Sequence, residues 1–171
     1  MNVIKNILII ALALLVQSTV IGRFTLFGVR PDLAMLVLLY LASTSESSEI
    51  TLYGFFIGFL QDVYSPEYLG YNSLVMSLVG FALGFIRERI TVERGAVRLF
   101  MTLIACLAHD LLYLTFYSHL DLSMMLSLFL RWSIAGALFT SVLSVVLMTV
   151  WEWIEEGGLL FVFKQLMGYR R

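Results

Sequence analysis

Charge, proline and cysteine are all scarce in this chain of 171 residues. Only 13% of its residues are Asp, Glu, Lys or Arg, against about a quarter in soluble domains, so a water-facing globular surface is excluded. The net charge of -1 gives no basic field for nucleic acid. The single cysteine, Cys106, sits in an apolar run, which excludes a disulfide framework and a cysteine metal cluster. A lone Cys there acts as a small packing residue. The two prolines, Pro31 and Pro66, stand at a helix start and in a turn. Motifs of chemistry are scarce as well. There is no H-E-x-x-H, no G-x-S-x-G, no Walker-type loop and no serine paired with a base. No cofactor and no metal are expected. No repeat of 20–50 residues is visible.

What is abundant is apolar sequence: 60% of the residues are hydrophobic and the mean hydropathy is +0.93. The fold class is therefore an all-α integral membrane protein, a single membrane domain over 1–171. A span needs about 20 apolar residues for a hydrocarbon core of about 30 Å. Six transmembrane helices are expected, near 4–22, 31–44, 48–64, 68–86, 99–118 and 132–152, with an interfacial tail over 158–168. The opening MNVIKNILIIALALLVQSTVIG reads as a retained first span, because its apolar run lacks a small-x-small cleavage site. Arg30-Pro31-Asp32 opens the second span, with Asp32 at the positive helix end. The serines of Ser43–Glu49 suit caps for the third. The second and third spans are short and need protein neighbours. Trp132 and Trp151 bracket the sixth span as interface anchors.

Tyr53 to Arg87 forms the nucleus. Gly54 with Gly58, and Gly80 with Gly84, are spaced four apart. That puts each pair on one helix face and lets backbones approach closely in lipid, in a multi-span protein more often as internal packing than as an oligomer contact. Between them lies a polar elbow with Asp62, Pro66, Glu67, Leu69, Gly70 and Asn72. Asp62 and Glu67 are either ordinary acids facing water at a helix end or a docking knob, and composition does not separate the two. With six spans and the N-terminus inside, eight Lys and Arg residues fall on the inner side and three, Arg23, Arg30 and Arg131, in the outer loops. This puts both termini in the cytoplasm and the elbow outside. The Arg87–Arg98 loop is the main topology determinant and a possible contact for anionic lipid.

Asp110, midway along the fifth span, is the sharpest candidate for chemistry, since charge at that depth is costly and marks function. The plainer reading, a hydrogen-bonded Asp tying helices together, is preferred, because no second acid or base shares its face. Tyr113 and Cys106 do share it. His109 lies about 100° around the helix from Asp110, so the two do not form a ready pair. A lone His on a span is a packed, neutral residue more often than a ligand, and His119 lies too far along to join it.

The order of these features resembles the rod shape-determining protein MreD family. The resemblance is carried by Arg30-Pro31-Asp32-Leu33, by G-x-x-x-G-x-x-x-D at Gly54, Gly58 and Asp62, by Leu69-Gly70 before a span with Gly80 and Gly84, and by Asp110. It covers nearly the whole chain. It implies a non-enzymatic component of the bacterial inner membrane that associates with MreC. Through MreC it would join the MreB filament, RodA and a class B penicillin-binding protein that build the lateral peptidoglycan wall. The implied fold is similar to the substrate-binding subunits of energy-coupling-factor vitamin transporters.

Two rivals stand beside this reading. A vitamin-binding subunit would show Ala-x-x-x-Ala on the first span, whereas Ala11 and Ala13 are two apart. An intramembrane enzyme would use Asp110 and His109. The expectation carried forward is a scaffold that can self-associate, and whose elbow and small-residue faces receive the transmembrane helix of MreC.

Overall fold

A computed structural model describes residues 2–21, 30–64, 66–87, 95–119 and 121–155. The expected tail over 158–168, Arg23, and Arg89 and Arg94 of the arginine-rich loop lie outside the described residues. All regular structure among the described residues is helical.

Helix α1, Asn2–Val16, runs on through a π-helical turn at Gln17–Ile21. There the hydroxyls of Ser18 and Thr19 donate to the Leu15 carbonyl at 3.0 and 2.6 Å, a back-bonding pattern that loosens the regular ladder. Helix α2, Leu33–Thr44, has only 12 residues, about 18 Å at 1.5 Å per residue. It occupies the middle of the bundle. None of its residues from Leu33 to Ala42 is exposed, and α1, α3, α4, α5 and α7 all touch it. Met35, Leu38 and Leu41 are fully buried.

Helix α3, Ser47–Val63, and helix α4, Tyr71–Arg87, form the tightest pair. A short 3-10 turn, Pro66–Tyr68, joins them. Helix α5 is Gly95–Tyr117. Helix α6, Leu122–Leu128, passes through a second π-helical segment, Phe129–Ser133, directly into α7, Ile134–Glu155. Among the described residues two helical stretches, Ala96–Tyr117 and Leu122–Leu147, are long and apolar enough to cross a membrane.

Several boundaries differ from the sequence reading. The fourth helix starts at Tyr71, not at residue 68, because Gly70 turns the chain with φ +98°. The last helix starts ten residues earlier than Trp132, at Leu122. Its N-cap is Asp121, whose carboxylate accepts from the Ser123 and Met124 amides at 2.9 and 3.1 Å. Arg131, read as a loop residue, lies within the helix with its guanidinium 5.1 Å from the Trp132 ring centre. The fifth starts at Gly95, four residues before Leu99.

The serines of the α2–α3 break do not cap α3. Glu46 holds the N-cap position without a side-chain bond. Instead Ser45 accepts from the Asn6 amide at 3.3 Å, and Ser47 donates to the Gly84 carbonyl at 3.0 Å. Ser45 thus meets a side chain of α1, while Ser47 reaches the α4 backbone at Gly84, where the absent side chain brings the two helices close. Asn6 also donates to the Tyr53 hydroxyl at 3.1 Å. The start of α1, the α2–α3 junction and the end of α4 therefore share one end of the bundle. Lys5, Glu46, Glu49 and Arg87 gather around the clefts there. The opposite end holds Gln17, Arg30 to Asp32 and the elbow at residues 66–70.

Helices α5 and α7 are tied by a buried hydrogen bond of 2.9 Å between Thr102 and Ser144. Around the whole bundle large apolar side chains face outward, among them Leu8, Phe56, Phe81, Phe100, Ile104, Leu138 and Val142. An outside more apolar than the polar links within suits lipid rather than water.

Candidate functional site

The four glycines meet one another's helices. A Cβ on Gly54 would stand 2.3 Å from the Met76 carbonyl oxygen, and one on Gly58 the same distance from the Asn72 carbonyl oxygen. From the other side, a Cβ on Gly80 would lie 2.7 Å from the Ile50 carbonyl oxygen, and one on Gly84 2.8 Å from that of Ser47. Every first contact is backbone. The small-residue faces of α3 and α4 are therefore filled by each other. The expectation that these faces receive an outside helix is corrected: four-residue spacing makes a face for close approach, and the next helix in the chain takes it.

Asp62 closes the same pair at the elbow. It is fully buried. Its carboxylate accepts from the backbone amides of Gly70, Asn72 and Ser73 at 3.0, 3.0 and 2.9 Å, and from the Ser73 hydroxyl at 2.5 Å. These amides lie at the N-terminal end of α4, whose preceding residue, Gly70, has no side chain to offer as a cap. A carboxylate there also meets the positive end of the helix dipole. The reading of Asp62 as an acid facing water or a docking knob is thus corrected. Glu67 and Leu69 are exposed on the elbow. Gly70 has open space around its Cα, so the demand for glycine is purely conformational. Gly70→Ala is expected to cost about 1–2 kcal/mol through the left-handed backbone alone, seen as a lower melting temperature with no change in helix content.

The second constellation lies at the same end of the bundle. Pro31 is buried and Arg30 exposed. Asp32 is the N-cap of α2, accepting from the Ala34 and Met35 amides at 2.9 and 3.2 Å. Gln17, from the π turn of α1, bridges to the Asp32 carboxylate at 3.4 Å and to the Ala34 amide at 3.0 Å. The Asp32 amide donates to the buried Thr140 hydroxyl of α7 at 3.1 Å. Arg30, Asp32, Cys106, Asp110, Trp132 and Thr140 line one cavity of about 290 Å³, with Gly136 and Ala137 as its small-residue wall.

Asp110 faces this cavity with its side chain 35% exposed, and accepts a 3.1 Å contact from Nδ1 of His109. This corrects the expectation that the two would not pair. Adjacent side chains on a helix diverge by about 100°, but both lean toward the helix start, and Nδ1 is close enough to its own Cβ for the carboxylate to swing to it. It also corrects the interhelical tie: the Asp110 hydrogen bond stays within α5. Nor is Asp110 without another acid nearby, since Asp32 lines the same cavity. His109 itself is buried, its Nε2 without a partner among the described residues. Its ring stacks on Tyr113, with centres 6.1 Å apart. From there Tyr113, Tyr117 and Tyr68 form a ladder of rings to the elbow. Asp110→Ala is expected to change stability by about 1 kcal/mol or less, because it removes one intrahelical hydrogen bond at a part-exposed position. A melting curve of the purified variant checks this. Cys106 is buried in the core, as a packing residue would be.

An all-helical bundle with an apolar exterior, two membrane-length helices and internal polar caps defines a helical membrane protein. The family model of the rod shape-determining protein MreD matches residues 2–167, and the chain belongs to that family. No curated protein and no solved structure matches it. The reading as a vitamin-binding transporter subunit finds no support in these comparisons. Family membership assigns the chain a role in rod shape determination.

Proposed function

We propose that this chain is a six-span, non-enzymatic scaffold of the cell-elongation complex, set in the bacterial inner membrane with both termini in the cytoplasm. It binds MreC directly and, through the complex, RodA, a class B penicillin-binding protein and MreB, and so helps to control lateral peptidoglycan synthesis. The likeness to energy-coupling-factor substrate-binding subunits belongs to this proposal as a likeness of architecture alone.

The observation that carries the reading is the family match over 166 of 171 residues, 2 to 167. Two features agree with it. The helix direction alternates so that Lys5 and Arg87 share one end of the bundle, as the count of basic residues requires. The closest helix packing is spent inside the chain, which leaves outward side chains of α3 and α4, such as Phe55, Phe59 and Phe81, for a partner helix or lipid. This replaces the glycine faces as the proposed contact for MreC.

The test is purification from the native host in mild detergent, followed by identification of what accompanies the protein. MreC in roughly constant ratio is the expected result. Absence of MreC while the bundle melts normally would overturn the scaffold reading. Reporter fusions placing the Arg87–Arg98 connector outside the cell would overturn the topology.

A further inference from the structure

The cavity between residues 30–32, α5 and α7 is lined by one acid, Asp110, that neither caps a helix nor ties two helices together. A part-exposed carboxylate midway along a membrane helix is costly unless it faces water or an opposite charge, and Asp110 shows 35% of its side chain there. Asp32 joins it from the start of α2, and Arg30 stands at the rim. Arg30 is not in an ion pair shorter than 4.0 Å with either acid among the described residues. Charges of both signs thus line one hollow without neutralising each other directly.

The chemistry of the lining selects a ligand class. Two carboxylates repel a simple anion, and the Arg30 guanidinium repels a simple cation. A molecule with an ammonium at one end and an anionic group at the other satisfies both, and each attraction strengthens in a low-dielectric hollow. The Trp132 ring adds an aromatic surface that favours a cation. At about 290 Å³ the cavity is at the small end of ligand pockets, which run from about 300 to 1,000 Å³, so it suits a headgroup-sized molecule. Both π-helical segments bear on it: Gln17 from one bonds to Asp32, and Trp132 from the other forms part of the lining. Such segments recur at functional sites.

We infer that the Arg30–Asp32–Asp110 cavity binds a small zwitterion, with its ammonium between Asp32 and Asp110 and its anionic group on Arg30. The same chemistry is offered by soluble phosphoethanolamine and by the headgroup of phosphatidylethanolamine. This inference goes beyond the scaffold reading and does not depend on it: binding of MreC tests one, occupancy of this cavity tests the other.

The experiment uses the full chain in two arms. In detergent, calorimetric titration with phosphoethanolamine is compared with ethanolamine and with inorganic phosphate. In nanodiscs of phosphatidylethanolamine or of anionic phosphatidylglycerol, native mass spectrometry reads the lipid retained. Binding of phosphoethanolamine, or selective retention of phosphatidylethanolamine, at least tenfold above the one-charge or differently headed probes is the expected result; which arm responds identifies the source. Arg30→Gln, at an exposed position, and Asp110→Asn, of the same shape, should each weaken binding at least tenfold while the unliganded melting temperature stays within a few degrees. No selectivity in either arm would overturn the inference, as would equal binding of ethanolamine or phosphate, or binding indifferent to both substitutions.

Discussion

Gly58→Leu is expected to force α3 and α4 apart and to lower stability by about 3 kcal/mol or more, at the upper end of what overpacking costs. The reason is the identity of the atoms it meets. Its Cβ alone would stand 2.3, 2.5 and 2.6 Å from the Asn72 oxygen, the Asn72 carbon and the Ser73 nitrogen. These are backbone atoms at the start of α4, and they cannot swing aside as a side-chain tip would. The same Ser73 amide is held by Asp62, so a helix pushed away at Gly58 also loses its cap. Gly58→Ala should act in the same direction with a smaller effect. Thermal melting of the purified variants measures both. An unchanged melting temperature for Gly58→Leu would show that the glycine contact is not a packing contact at all. Any loss of the proposed MreC association from these variants should follow the loss of fold, since α4 already covers the glycine face.

Asp62→Ala has the second large effect. It leaves three backbone amides and one hydroxyl at a fully buried site without their acceptor. Each buried donor left unpaired costs about 1–3 kcal/mol. Water reaching the elbow reduces the sum, so a loss of about 3 kcal/mol is expected. Asp62→Asn keeps one oxygen and should lose less. Glu67→Ala, five residues on and exposed, should stay within about 0.5 kcal/mol of the parent protein. Hydrogen exchange at residues 70–73 would locate the damage: faster exchange confined to the start of α4 is the signature of a lost cap. Equal melting of Asp62→Ala and Glu67→Ala would remove the capping role.

The helices themselves were written plainly in the apolar runs, because lipid demands long apolar segments with their backbones satisfied internally. The glycine spacing was equally plain as a face. What covers that face was not, since a sequence gives the close approach and leaves the neighbour unnamed. Asp62 did leave a signal. Helix α4 begins after Gly70, a residue without a capping side chain, and an acid at the end of the previous helix is well placed to supply one across a short elbow. The cavity left none of that kind. Asp32 and Asp110 are far apart in the chain and share no periodicity, and only the stacking of α5 and α7 over the start of α2 brings them to one hollow. The early start of the last helix was hidden by Arg131, whose charge suggested a loop end while its long side chain lies against Trp132.

The brevity of α2 has a consequence for how the protein is made. Its 12 residues are too few to cross a bilayer of average thickness unaided, and in the finished bundle no residue from Leu33 to Ala42 is exposed, so it never has to. During synthesis, however, α2 leaves the ribosome before α3, α4, α5 and α7, four of the five helices that will enclose it. For that interval it lies in a locally pinched membrane or along the headgroups, and it is drawn to the centre only as the later helices arrive. Biogenesis of this protein therefore has a built-in order, in which the innermost strut is among the first segments synthesised and the last to be secured.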